Sequence, residues 1–421
     1  MGKIALVARI AAKLSLHALL GVLVPLVSWV PRDPNLWAFG TLNGRGFAEN
    51  TKWLYLHCQQ VGGVRAIWIS RDRTLVEWLR AQGLPAKWLY SLAGMWVCVR
   101  AGVYLYNWYV SDVCFWLSRG ALKVNLWHGI PLKRIQWDSV KTQDIEYRMR
   151  YGSWLSRTLA RAVSPGRVTA PHLITATSHE VAAILAKAFS VPSDRVAITG
   201  LPRTEGLVRT SPTLNEAEAA ALVRIEATRR EGGWVAAYVP TFRSEAITSS
   251  FVSAPFRMLD AAARSSGGLL VVKPHLNTDW SPGEVGVCQN IVCVPREADL
   301  YTFLGGVDLL LTDYSSVFFD FLLLDRPIVF MCEDLEEYQS RERQFYFDYE
   351  TTTPGRRVNT WEQVAEIFRT LKVPVRDEYE GARRALRTRM FEQPAEGAAE
   401  RVRREVVVRS ARCFRAPEQQ L

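Results

Sequence analysis

Two α/β domains, each built on a parallel sheet, are the fold class this sequence predicts. Three observations carry the prediction. Apolar β-type runs alternate with helix-type segments from Asn35 onward, and the alternation restarts after a charged stretch near residues 215–231. At 421 residues, 48% of them apolar and 22% charged, the chain is globular yet too long for one ordinary core.

Leu36–Thr41 reads as the first strand, and Glu49–Gln60 as a helix with Trp53, Leu54, Leu56 and His57 spread around it. Arg65–Ile69, Lys87–Tyr90, Val103–Tyr106 and Val124–Trp127 follow as strands, with helical patterns between several of them. Leu173–Thr177 and Val196–Thr199 flank a helix over His179–Phe189. Such alternation puts parallel strands in a sheet covered on both faces. Gly200–Thr204 reads as a turn and Asn215–Glu231 as a charged amphipathic helix. A second series begins with strand Trp234–Val239 and helix Ala254–Ser265. Strands Leu269–Val272, Asn290–Val294 and Asp308–Leu311, helix Ser316–Leu324 and strand Pro327–Met331 complete it. The expected domains are therefore 35–205 and 206–421, the second ending in helices. Two doubly wound, Rossmann-like domains facing a central cleft form the GT-B architecture common among nucleotide-sugar transferases.

Seven scattered cysteines without a C-x-x-C pair argue against a disulfide framework or a zinc site and fit a reducing cytosol. The net charge of +10 suits an anionic partner. Nucleic acid is not the expected one, because no binding fingerprint is present and the charge is spread. The N-terminus points to lipid. Lys3, Arg9 and Lys13 precede an apolar run Leu14–Val30, with no acid before Asp33. The run is shorter than the ~20 residues a spanning helix needs, carries His17 and is interrupted by Pro25. Residues 1–34 are thus expected to attach peripherally to an anionic membrane surface, on its cytoplasmic face, ahead of a true span, a buried core helix or a signal peptide.

Ligands of open α/β sheets lie outside the carboxyl ends of strands, so polar residues there are the first site candidates. Three stretches qualify. Asn125–Lys133 contains His128, which titrates near neutrality and suits proton removal from an alcohol. A histidine after a buried strand is more often structural, but Gly129 permits close approach, Pro131 stiffens the turn, and Lys133 and Arg134 add charge. Lys273–Pro274–His275 ends another strand, where His275 reads as a cationic or hydrogen-bonding group aimed at phosphate. Thr312–Asp313–Tyr314–Ser315–Ser316 runs into an apolar helix. Its serines are either N-caps or, with the helix dipole, part of an anion cradle. Arg243 closes a further strand at the same edge and suits bidentate phosphate binding. Gly40–Gly46 reads as a loop lining the cleft, without dinucleotide-fingerprint spacing. His57, His172 and His179 read as structural or surface residues. Asp279, Asp299 and Asp308 have no metal-ligand spacing, so no tightly bound cofactor is expected beyond loosely associated magnesium.

Taken in order, these segments resemble the CDP-glycerol glycerophosphotransferase family, which primes and polymerises teichoic-acid-type chains. The resemblance runs from about residue 35 to 410. It rests on AIWIS at 66–70, LWHGIPLK at 126–133, GLPRT at 200–204, VPTFR at 239–243 and Lys273–His275. LTDYSSVFFD at 311–320, DRPIVF at 325–330 and FYFDYE at 345–350 continue it. The resemblance implies a GT-B fold with a membrane-associated N-terminal element. It also implies attack of a polyol hydroxyl on the phosphate carried by the glycerol of CDP-glycerol, releasing CMP. It makes His128 the general base and His275 a phosphate-stabilising histidine. Arg243, Lys273, Thr312, Asp313, Ser315 and Ser316 would hold the donor, and Lys133 would add to the field. The implied acceptor is a lipid-linked saccharide or growing polymer. Leu201, Glu205 and Phe242 depart from the family's pattern, as does the missing glycine at Arg341–Gln344. CDP-ribitol and nucleotide sugars therefore stay open as alternative donors, and capsule as an alternative product.

Overall fold

The computed structural model describes residues 29–140, 144–241, 254–275, 288–341 and 344–414. Residues 1–28 of the expected membrane segment, 1–34, lie outside them. The chain forms two compact units. Unit 1 takes the described residues up to His128, Ile135–Arg203 and the chain from Gly397; unit 2 takes Gly129–Arg134 and Thr204–Glu396.

Unit 1 is built on seven strands: β1 Asp33–Phe39, β2 Arg65–Ser70, β3 Ala86–Trp88, β4 Ala101–Tyr106, β5 Leu122–Asn125, β6 Leu173–Ala176 and β7 Val196–Ile198. Their order is β3-β2-β1-β4-β5-β6-β7, every pair parallel. The order reverses between β1 and β4, which is the topological switch point of a doubly wound sheet. All six residues of β4 are buried, as a central parallel strand covered on both faces requires. The helix Glu49–Val61 buries Trp53, Leu54, Tyr55, Leu56 and Cys58. Its apolar residues run all round because it is covered twice. Trp37, Phe39 and Leu105 of the sheet and Ala399, Val402 and Val406 of the helix Ala398–Phe414 join it in one core cluster.

This corrects the expected division, which put the chain's last helices with the second domain. The helix Ala398–Phe414 completes the cover of Glu49–Val61 and is tied there by polar contacts. Glu400 Oε2 meets His57 Nε2 at 2.9 Å, and Arg401 Nε donates to the Thr199 carbonyl at 2.8 Å. Arg403, with His57 and Arg404, holds the Glu400 carboxyl well below the usual carboxylate range.

Unit 2 repeats the plan with β8 Val235–Val239, β9 Leu269–Val272, β10 Ile291–Cys293, β11 Leu309–Thr312, β12 Ile328–Met331 and β13 Arg356–Val358. The order is β10-β9-β8-β11-β12-β13, again all parallel, with the switch point between β8 and β11. The charged helix Glu216–Arg230 starts at a capping box in which Asn215 and Glu218 satisfy each other's backbone N–H groups. Deep in this unit Arg383, 2% exposed, is neutralised by Asp377 at 2.6 Å.

Candidate functional site

In unit 1 the site grows from the end of β5. The strand stops at Asn125, two residues before the expected end, because the chain turns out of the sheet. Trp127 adopts a φ of 51° and Gly129 a φ of 125°. A bulky residue in the left-handed region costs roughly 1–3 kcal/mol and persists only where its surroundings over-determine it. They do so here. Asn125 Oδ1 accepts from Trp127 N at 2.8 Å, Asn50 Nδ2 donates to the Trp127 carbonyl at 2.7 Å, and Thr175 Oγ1 donates to the Leu126 carbonyl at 2.9 Å. Asn50, Asn125 and Thr175 are all buried. The strained turn presents His128 between two indoles. Its ring stacks on Trp108 at 4.1 Å and 10°, and leans on Trp127 at 4.0 Å and 40°. The imidazole is held in plane yet only half-buried, as a proton acceptor working on a bound alcohol must be.

Trp108 is positioned in turn by Asp112. One carboxylate oxygen accepts from Trp108 N at 2.9 Å and Asn107 N at 3.2 Å, the other from Asn43 N at 2.7 Å. Burial pushes the Asp112 carboxyl from 3.8 up to about 6, against the pull of these donors. Because the folded value is raised, this group favours the fold fully below pH 3.8, and the contribution fades as pH rises through about 6. Asp112→Asn should turn an NH2 group toward at least one N–H donor, whichever way the amide is set, and cost about 1–3 kcal/mol. Thermal unfolding should show a lower Tm, and the pH dependence between 4 and 6 should flatten. The glycine-rich loop belongs to this joint. A Cβ on Gly40 would lie 2.3 Å from the Asp112 carbonyl oxygen, so the loop's glycine serves close packing.

In unit 2 the carboxyl ends of β8, β9 and β11 meet at the switch point. Thr312, fully buried, donates its hydroxyl to the Val239 carbonyl at 2.7 Å, and Asp313 Oδ1 accepts from Thr241 N at 2.8 Å. These two latch β11 to β8. Both were expected to hold the donor; in the structure the Thr312 proton and Asp313 Oδ1 are already engaged within the sheet. Asp313 also acts electrostatically on the neighbouring His275. Burial pushes the His275 imidazole down to about 4, Lys133 and Lys273 push the same way, and Asp313 opposes them. His275 is consequently neutral at neutral pH, which selects the hydrogen-bonding half of its expected role. With a lowered folded value, its contribution to stability is full above 6.5 and is lost as pH falls through about 4. Lys133→Gln should raise the His275 titration midpoint, read from imidazole NMR shifts.

Lys133 was expected beside His128; the structure builds its short segment into unit 2. Lys133 pairs antiparallel with Phe345, Arg134 N donates to the Gln344 carbonyl at 2.8 Å, and Tyr346 N donates to the Leu132 carbonyl at 2.8 Å. Its ammonium lies 3.3 Å from Thr241 Oγ1 and 5.1 Å from the centroid of the Tyr338 ring. Tyr338 packs on Tyr314 at 4.3 Å, and Tyr349 donates its hydroxyl to the Asp313 carbonyl at 2.9 Å. Sequence reasoning gave none of these tyrosines a role, although Tyr314 lies within LTDYSSVFFD and Tyr349 within FYFDYE. Lys273 Nζ donates to the Arg296 carbonyl at 3.0 Å.

Ser315 and Ser316 precede a helix of five residues, Val317–Phe321, too short for a sizeable dipole. Ser316 makes no side-chain cap bond, whereas Ser315 Oγ accepts from Val317 N at 3.5 Å, so capping accounts for Ser315 alone. Arg243 lies outside the described residues. Among the described residues no group of three or more His, Cys, Asp or Glu side chains is arranged to hold a metal.

A family model, CDP-Glycerol:Poly(glycerophosphate) glycerophosphotransferase, matches residues 22–408. The chain belongs to this family. Among curated glycerophosphotransferase relatives it is 24% identical over 368 residues to the teichoic acid poly(glycerol phosphate) polymerase of Bacillus subtilis, covering 83% of this chain and 45% of that one. It is 26% identical over 338 residues to the teichoic acid glycerol-phosphate transferase of Staphylococcus aureus, covering 78% and 82%. The chain thus spans under half of the first relative's length and most of the second's. A solved structure of the wall teichoic acid polymerase TagF superposes with a TM-score of 0.68 at 19% identity, over 98% of this chain and 97% of that one. That likeness carries the α/β fold with parallel sheets.

Proposed function

We propose that this glycerophosphotransferase-family protein transfers glycerol phosphate from CDP-glycerol to a hydroxyl of a lipid-linked saccharide or growing poly(glycerol phosphate) chain. The observation that carries the reading is His128, clamped between Trp108 and Trp127 at a strained strand end, in a chain matched by the family model along residues 22–408. His128 takes the proton as the acceptor oxygen bonds to the glycerol-bearing phosphorus. The bond from that phosphorus to the bridging oxygen breaks, and CMP leaves with the bridging oxygen. Lys133, Lys273 and neutral His275 face the developing charge, with the Ser315 and Ser316 hydroxyls and Arg243 holding the donor. No cofactor is tightly held in this reading, and magnesium accompanies the donor loosely at most.

Attachment to the cytoplasmic face of an anionic membrane is part of the same proposal. Its support is the basic and apolar sequence of residues 1–34, together with exposed Trp154, Leu155 and Leu159 on one amphipathic helix. No helix among the described residues is long and apolar enough to cross a membrane.

The test is acceptor-dependent CMP release from CDP-glycerol, with CDP-ribitol in parallel. Release from CDP-ribitol alone would change the polyol and keep the mechanism. A nucleoside diphosphate product from a nucleotide sugar, with no CMP from either donor, would overturn the reading.

A further inference from the structure

Unit 1 contains an open cavity of about 480 Å³ that the chemistry above does not use. Trp108 lines it, and the same indole stacks on His128, so the cavity and the histidine share a wall. Tyr109 and Trp137 add aromatic surface. The volume lies within the range of small-ligand sites, which combine aromatic walls with a few placed polar groups.

The charge on its lining is one-sided. Arg150, Arg157, Arg161, Arg167 and Lys187 face a single carboxylate, Asp138. Two of the five are neutralised nearby: Arg167 pairs with Glu146 at 2.6 Å, and Lys187 lies 3.8 Å from Asp138. Arg150 is engaged by the Trp137 carbonyl, which leaves its charge in place. Among the described residues Arg157 and Arg161 have no ion pair, and they stand one turn apart on the helix Trp154–Val163. Like charges at that spacing destabilise a helix. An anion seated between them would remove that repulsion, and guanidinium groups match phosphate oxygens two at a time.

We propose that this cavity binds a phosphate group of the acceptor, so that the acceptor's terminal hydroxyl is presented to His128 beside the shared Trp108 wall. The proposal rests on the reading of His128 as the base for an acceptor hydroxyl. It assigns specificity for phosphate-bearing acceptors to Arg157 and Arg161, and selection of polyol or sugar carbons to Trp108 and Trp137. Both arginines are exposed, so their replacement leaves the core intact.

The experiment uses the full chain, wild type and the double variant Arg157→Gln/Arg161→Gln. Calorimetry measures binding of a short synthetic glycerol phosphate oligomer, with an uncharged polyglycerol of equal length as control. Vesicle flotation with phosphatidylglycerol forms a separate arm. The expected result is salt-sensitive oligomer binding, weakened at least 10-fold in the double variant. The acceptor KM should rise to match, with an unchanged Kd for CDP-glycerol. Equal oligomer affinity in the two proteins would overturn the proposal, as would a loss confined to vesicles, which would make the arginines lipid-headgroup contacts. Oligomer binding lost in the variant, with no CMP release by the wild type, would sink the transfer reading and leave the anion cavity standing.

Discussion

Replacing His128 by alanine should slow CMP release from CDP-glycerol by about 10²–10⁴-fold, the usual contribution of a positioned general base. That corresponds to roughly 3–5 kcal/mol of barrier. The two indoles make the loss hard to rescue. Trp108 and Trp127 lie 4.1 and 4.0 Å from the imidazole, so a water entering the vacated slot meets two apolar faces and little that would orient it. The donor's affinity should hold, because the alanine removes nothing from unit 2. The pH profile is the sharper check. A base must be neutral to act, so the wild-type kcat/KM should fall on the acid side, and the variant's residual rate should lack that limb. An unchanged rate in His128→Ala would mean that another group removes the proton.

Lys133→Gln should cost about 10²–10³-fold in kcat/KM for the donor, the range seen when one preorganised electrostatic donor is removed from a transfer site. Preorganisation is the reason to expect so much from one lysine. The bridge to Phe345 and the bonds through Arg134 N and Tyr346 N fix the backbone. Thr241 Oγ1 and the Tyr338 ring then bracket the ammonium. Such a charge needs little reorganisation when a phosphoryl group develops negative charge beside it. Lys133→Arg should recover only part of the loss, since the planar fork does not fit a pocket shaped around a compact ammonium. If Lys133→Gln kept full activity while the His275 midpoint moved upward, the lysine would be an electrostatic neighbour and no more.

How much of this was readable in the sequence depends on where each interaction's partner lies. Leu269–Val272 and Leu309–Thr312 are strands buried on both faces, and their unbroken apolar runs announced them. Arg356–Val358 escaped notice because an edge strand with two exposed arginines has no apolar run to show. The end of β5 was misplaced because its turn is enforced by Asn50 and Thr175, which no local pattern connects to Trp127. His128 could be named from its position after a strand, but the indole clamp could not, since Trp108 comes from the end of β4. Thr312 and Asp313 have the composition of an anion site. Only the pairing of β11 with β8 reveals that their polar atoms turn inward. The assignment of Lys133 to unit 2 was equally hidden, because its partners lie some two hundred residues further along.

The helix Ala398–Phe414 has a consequence for biosynthesis. A ribosome making this chain completes the seven strands of unit 1 and then translates Thr204–Glu396 before that helix exists. At ~5–20 residues per second the interval is roughly 10–40 s. Throughout it the nascent unit 1 exposes the surface of Glu49–Val61 that Ala399, Val402 and Val406 later cover. The earliest-made half is therefore the last to mature, and holdase chaperones have the whole interval in which to engage it. A premature stop codon just before Ala398 would spare the sheet of unit 2 and strand the unit synthesised first.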